Sequence, residues 1–173
     1  SRIDTQIDKK IDTRVGAGDA KADELKALRG KVAIASAKIA YQRYLEILGG
    51  PRWKALSAVG ASPQRLLWAS TGTKDPAFSD VLYVETLIGP DTVNTMPTKT
   101  LEAFKDHGKV SQSLTHDVEA ASDVLIAQAK LGLDLDEVTK QLVVEGVASF
   151  SASFDQLLNA VAAKRVQILG RAA

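Results

Sequence analysis

The chain has 173 residues, 45% hydrophobic and 25% charged, with a formal net charge of +1. That length and composition suit a globular domain with a sizeable core, and the interspersed charges form no long basic run, so neither nucleic acid nor a membrane is an expected partner. With no cysteine, disulfides, thiolate chemistry and cysteine-ligated zinc are excluded, which fits a reducing compartment.

The start, Ser1-Arg2-Ile3-Asp4, has no initiator Met and no recognisable leader, and reads as the middle of a longer sequence. Ile3, Ile7 and Ile11 recur every fourth residue, a thin apolar stripe that predicts a short helix ended by Gly16-Ala17-Gly18-Asp19. Leu25 to Leu48 is the longest helical pattern. Leu28, Val32, Ala35 and Ile39 share one face, while Ile34, Ala37, Tyr41, Leu45 and Leu48 share the next, so a well-buried helix is expected. Gly49-Gly50-Pro51 stops it. One or two helical turns follow around Trp53 and Leu56, then a loop at Gly60-Ala61-Ser62-Pro63.

The stretch Leu66 to Pro76 is the pivot of the chain. Four apolar residues switch abruptly to Ser70-Thr71-Gly72-Thr73-Lys74 and close at Asp75-Pro76. This is the pattern of a buried strand, Arg65 to Ala69, delivering a polar loop to a sheet end. Val81 to Ile88 fits strand by composition and helix by spacing. A parallel sheet needs a crossover, so Val81 to Ile88 reads as a helix and Thr92 to Met96 as the next strand. Pro97 then opens a helix over Thr98 to Asp106. Thr115 to Leu131 is helical, with Val118, Ala121, Leu125 and Ala129 on one face. Asp134 and Glu137 have capping-box spacing before a helix to Gly146. A last helix, Val147 to Leu169, carries the core stripe Val147, Phe150, Phe154, Leu157, Val161 and Ile168, with Lys164, Arg165 and Arg171 offsetting its dipole.

Several residues could carry chemistry. Ser70 to Lys74 offers hydroxyls, a Gly and an ammonium at a strand-to-helix turn, which is either a solvated turn or an anion cradle. It is not a nucleoside-triphosphate loop, because the Gly-x-x-x-x-Gly-Lys-Ser/Thr spacing is missing. Asn94 ends the second strand, and ligands of parallel α/β sheets meet the C-terminal strand ends; the same residue also suits local backbone satisfaction. Arg2 can grip phosphate bidentately or lie solvated. His107 and His116 lack a ligand spacing, and no metal is expected; His107, beside Gly108, caps a helix end. Asp134 and Asp136 read as capping or solvated groups.

Four blocks together resemble the transaldolases: Ser1 to Asp4, Gly30 to Ala35, Leu67 to Pro76 and Gly89 to Pro97. The likeness continues to Gly146-Val147 and Ser153-Phe154. The resemblance implies an α/β fold, the C-terminal part of a TIM (β/α)8 barrel, predominantly helical with two or three short parallel strands. Residues 1–173 would be the C-terminal portion of a single barrel domain. Ser1 to Asp4 would follow the sixth strand, Leu66 to Ser70 would be the seventh, and Thr92 to Met96 the eighth. By the same resemblance Arg2 and Ser70 match substrate-phosphate positions and Lys74 lies where a second cation would assist; Asn94, placed by its strand end, is expected at the active-site rim.

Transaldolases transfer a dihydroxyacetone unit from sedoheptulose 7-phosphate to glyceraldehyde 3-phosphate through a lysine Schiff base, a cytoplasmic step of carbohydrate metabolism needing no cofactor. The strands that would bring that lysine and the acid/base carboxylates are absent here. The chain alone is therefore expected to be inactive, contributing phosphate binding, with the rest of the barrel on the same polypeptide, a companion chain or within an oligomer. The alternative is a non-catalytic helical interaction or scaffold protein, with the Ser70 loop a mere turn.

Overall fold

Asp4, Ile7, Asp8 and Ile11 fall at i, i+3, i+4 and i+7, one face of a helix. In the computed structural model, which describes residues 1–170, helix α1 (Arg2–Gly16) buries these four residues. Ile7 and Ile11 are fully buried, and each contributes roughly 1.5–3 kcal/mol by leaving water. The chain divides into two compact units, Ser1–Asp134 and a second that begins at Leu135.

In the first unit the predicted long helix is two elements. Helix α2 (Ala22–Lys26) is followed by turns, and α3 (Val32–Gly49) starts only after Gly30. Gly30 causes the break. It has φ +68, and a Cβ there would lie 2.8 Å from the Phe78 ring. Helix α3 buries Val32, Ala35, Lys38, Tyr41 and Tyr44, a strip that crosses both expected faces, while Leu45 stays 41% exposed. Buried Lys38 donates Nζ to the His116 carbonyl at 2.7 Å. Gly49 is the last residue of α3, and α4 (Pro51–Ala58) follows with Pro at its start.

Strand β1 (Leu66–Ala69) pairs in parallel with β2 (Thr92–Thr95), with Leu66 opposite Thr92 and Ala69 opposite Thr95. Helix α5 (Leu82–Thr86) lies in the crossover, as a parallel pair requires. The expected burial of β1 is corrected: Leu67 is 51% exposed, and only Leu66 and Trp68 turn toward the core. That core is Tyr41, Tyr44, Leu87 and Leu114, with Ile34, Ala37 and Leu48 packed against it. Helix α6 (Thr98–His107) has Pro97 at its N-cap and stops at Gly108. His107 ends it, and its ring nitrogens meet Asp80 at 2.9 Å and Asp106 at 3.1 Å. Helix α7 (Val118–Lys130) buries Ala121 and Gln128, whereas Ala129 of the expected face is exposed.

The second unit is one helix. The two predicted segments are continuous in α8 (Leu135–Leu169), whose 35 residues pass through Gly146 without a break. The expected core stripe is exposed: Phe150 is 82% and Phe154 59% accessible. Lys164 and Arg165 lie on α8, whereas Arg171 falls outside the described residues.

Three hydrogen bonds set α1 against the following elements. Asp4 Oδ1 accepts the Ala33 N–H at 2.9 Å, Asp4 Oδ2 accepts the Tyr83 hydroxyl at 2.7 Å, and Asp8 Oδ1 accepts the Gly30 N–H at 3.2 Å. Burial pushes the Asp8 carboxyl from its ordinary 3.8 up to about 6, outweighing the Gly30 N–H, which lowers it.

Two outcomes are expected. Gly30→Ala combines left-handed strain with a clash on Phe78 and should cost about 2 kcal/mol in chemical denaturation; an unchanged midpoint would refute the clash. For Asp8, the native carboxyl holds its proton more tightly than the unfolded chain does. Stability therefore falls as pH rises from about 4 to about 6, then levels off, by about 2–3 kcal/mol in all. Asp8→Asn keeps an acceptor for Gly30 and should flatten this slope and gain stability at neutral pH. Parallel pH profiles for the two proteins would sink the assignment.

Candidate functional site

The loop after β1 is held from two sides. Ser70 has φ +55, in the left-handed region, which turns the chain out of the strand. Thr71 is buried. Its Oγ1 donates to Asn94 Oδ1 at 2.6 Å, and its N–H reaches the Thr95 carbonyl at 3.5 Å. At Gly72 a Cβ would come within 3.0 Å of Thr100 Oγ1 and 3.1 Å of Pro97 Cγ, so the loop lies directly on the start of α6. On the far side Asp75 accepts Arg29 at 3.0 Å and the Ala77 N–H at 2.9 Å. Arg29 also meets Asp12 at 3.5 Å and lies over the Phe78 ring, 5.9 Å from its centroid.

Arg2, Ser70 and Lys74 all line one cavity of about 560 Å³. Its walls come from the first turn of α1, from Ala33, Ser36, Ala37 and Ala40 on α3, and from β1 with its loop. Two cations and the hydroxyl residues Ser36, Ser70, Thr71 and Tyr83 face it, and its lining includes no Asp or Glu. The N-terminus of a helix adds positive potential to such a space. Asn94 does not line it; it acts on the cavity through Thr71.

A neighbouring cavity of about 420 Å³ has the opposite character, being lined by Asp4, Asp8, Asp12 and Asp75 as well as Lys9, Arg29 and Lys74. Tyr83 and Lys74 line both. An anion is favoured in the first cavity and opposed by carboxylates in the second.

Sequence reasoning placed Arg2, Ser70 and Lys74, and the fold brings these three together. It missed Asp4 and Tyr83, and it counted Thr71 only as one hydroxyl of the Ser70 to Lys74 loop. Asp4 had a readable signal, since it shares the Ile7/Ile11 face of α1, where an acid has to find a buried donor. Tyr83 had none, because its partner is distant in sequence. Among the described residues no group of acids and histidines is arranged to hold a metal. No helix among them is long and apolar enough to cross a membrane.

Comparison with known proteins matches residues 1–161 to the family described as Transaldolase/Fructose-6-phosphate aldolase. A transaldolase of Frankia alni is 47% identical over 172 residues, covering 99% of this chain and 44% of that protein. One from Trichodesmium erythraeum is 46% identical over 168 residues, 95% of this chain and 44% of that protein. One from Thiobacillus denitrificans is 49% identical over 158 residues, 91% of this chain and 42% of that protein. The chain thus spans less than half the length of these relatives. With most of its length matched and with a helix-dominated fold carrying a parallel β1–β2 pair, the chain belongs to the transaldolase/fructose-6-phosphate aldolase family.

Proposed function

We propose that this chain is the C-terminal, phosphate-holding portion of a transaldolase, from the end of the sixth barrel strand onward, within a single barrel domain spanning residues 1–173 and the part that precedes them. The observation that carries this is the cavity shared by Arg2, Ser70 and Lys74, which has no carboxylate on its walls. The substrate is a ketose phosphate such as sedoheptulose 7-phosphate, the acceptor is glyceraldehyde 3-phosphate, and the unit moved is dihydroxyacetone. Arg2 supplies planar paired donors to the phosphate, the Ser70 hydroxyl adds a neutral donor, and Lys74 adds a second positive charge. Asn94 stands behind them, holding Thr71 at the rim.

The Schiff-base lysine belongs to the part of the barrel outside this chain. Lys38 is buried, but its Nζ is engaged by the His116 carbonyl, and Lys74 is exposed. An imine-forming lysine needs a desolvated setting that lowers its pKa. The chain alone is therefore inactive. The exposed Leu67 of β1 and the apolar stripe of α8 are surfaces for the rest of the barrel, whether on the same polypeptide, a companion chain or another protomer. The location that accompanies this role is cytoplasmic.

In the full-length context, Arg2→Ala and Ser70→Ala should each weaken ketose-phosphate binding. About 10- to 100-fold is expected for Arg2 and about tenfold for Ser70, seen mainly as a raised KM. If both leave binding unchanged, the phosphate role fails and the scaffold reading gains. Borohydride trapping of this chain alone with a ketose phosphate should give no covalent adduct; an adduct on any lysine here would overturn the inactive assignment.

A further inference from the structure

Resting on the phosphate reading above, we propose that Asp4 and Tyr83 are positioning residues that set where Arg2 meets the anion cavity. Arg2 is the first residue of α1 and Asp4 lies two positions on. Residues two apart on a helix point about 200° from one another. The anchor and the grip therefore face different sides of α1. Asp4 is 2% exposed and its two oxygens are engaged separately, by the Ala33 N–H at 2.9 Å and the Tyr83 hydroxyl at 2.7 Å. The first bond ties α1 to the opening turn of α3, and the second ties it to α5. Both the depth and the rotation of α1 are fixed by them, and with these the place from which Arg2 reaches the cavity.

Tyr83 has a second role that Asp4 lacks. It is 5% exposed and lines both cavities, the one holding Arg2 and Lys74 and the one holding Asp4, Asp8 and Asp12. It is a wall residue common to the two spaces, and its hydroxyl donates to the Asp4 carboxylate. Burial, followed by the hydrogen bond to Asp4, pushes the Tyr83 hydroxyl up from its ordinary value, so it stays a donor. Without that donor, one Asp4 oxygen is left buried and unmatched. An unmatched carboxylate draws a cation, and Lys74, together with Lys9 and Arg29, lines the same cavity as Asp4. A cation drawn to Asp4 is lost to the anion. Tyr83 thus sets the geometry of α1 and keeps an internal carboxylate from competing with the ligand.

The test uses inorganic phosphate and the full-length protein that contains this chain, with affinity read by titration calorimetry at a temperature where circular dichroism shows the variants under comparison to be folded. Tyr83→Phe keeps the ring and removes the donor; it should weaken phosphate about tenfold by misplacing Arg2, with no direct contact to the ligand lost. Asp4→Asn should weaken it less, because its amide oxygen still accepts one of the two donors. Tyr44→Phe removes a buried hydroxyl that has no partner, away from the cavity, and should leave phosphate binding unchanged. The decisive readout is a double-mutant cycle. In an Arg2→Ala background, Tyr83→Phe should have a smaller effect than in the native chain, and what remains, the share acting through Lys74, should vanish when Lys74→Ala is added. Should Tyr83→Phe fail to fold, Asp4→Asn is judged by the same cycle. If Arg2→Ala abolishes phosphate binding while the Tyr83 and Asp4 variants bind normally, or if the effects are additive, the positioning role is overturned and the phosphate site stands. If the native chain binds no phosphate, or Arg2→Ala binds as well as native, the phosphate reading fails and takes this inference with it.

Discussion

One buried carboxylate holds the first unit in register. Asp4 is removed from water, and a charged carboxylate there is tolerated only with donors on its oxygens. It finds them on two other helices, at Ala33 and Tyr83. The opposite end of α1 is tied as well. Arg14 Nε donates to Asp19 at 2.8 Å, and its guanidinium also donates to the Leu131 carbonyl, just beyond α7. Between these ends Ile7 and Ile11 fill the interior. Helix α1 is thus positioned by polar groups and made stable by apolar ones. The two roles differ: burial favours association on any side, whereas the Asp4 bonds select one rotation.

Among the described residues the sheet has two short strands; β1 and β2 bury little and are held largely by what covers one face: Tyr41, Tyr44 and Leu87 under Leu66 and Trp68. Tyr41 adds a bond from its hydroxyl to the Pro90 carbonyl at 3.1 Å, which sets the turn before β2. The left-handed backbone at Ser70 costs about 1–2 kcal/mol for a residue with a side chain. It persists because Thr71, one position on, is locked to Asn94 and because Gly72 admits the close approach of Pro97 and Thr100. The loop is shaped by its neighbours on both strands. Its Ser70 hydroxyl consequently stands at the strand end instead of folding back onto the backbone.

Most of this architecture was legible where it depends on local pattern. The β1–α5–β2 unit followed from one topological requirement, that a parallel pair needs a crossover, applied to the ambiguous Val81 to Ile88. Helix ends at Gly49, Gly108 and Gly132 followed from backbone chemistry. Two readings failed for reasons that no local pattern supplies. The start of α3 was placed too early because Leu25 and Leu28 continue the apolar spacing, while the break comes from Gly30 and the Phe78 ring packed on it from a distant loop. The α8 stripe was read as core because its Phe and Leu spacing is that of a buried helix. Spacing specifies a face but not what covers it, and here that face is exposed. For the site, Arg2, Ser70 and Lys74 were visible as residue types at strand and helix ends. The roles of Thr71 and Tyr83 were not, because they lie in partners 23 and 79 positions away.

The contrast between the exposed faces and the anion cavity bears on how the proposed barrel would be completed. The bonds that shape the cavity, at Asp4, Tyr83, Thr71, Asn94 and Asp75, all lie within residues 4–94 of this chain. None requires an outside partner. A run of exposed apolar groups lies elsewhere, along α8 from Val143 to Leu169, whereas the exposed Leu67 lines the cavity itself. Covering a side chain such as Phe150 or Leu157 is worth roughly 1.5–3 kcal/mol apiece, so the driving force for adding the rest of a barrel is supplied by groups that do not shape the cavity. A site assembled this way is preorganised, with its loop strain and its buried carboxylate compensated beforehand. Association then spends little of its free energy on reordering the phosphate grip. On the proposed reading, the requirement left for the rest of the barrel would be geometric: to place a reactive lysine at the proper distance from the cavity lined by Arg2, Ser70 and Lys74.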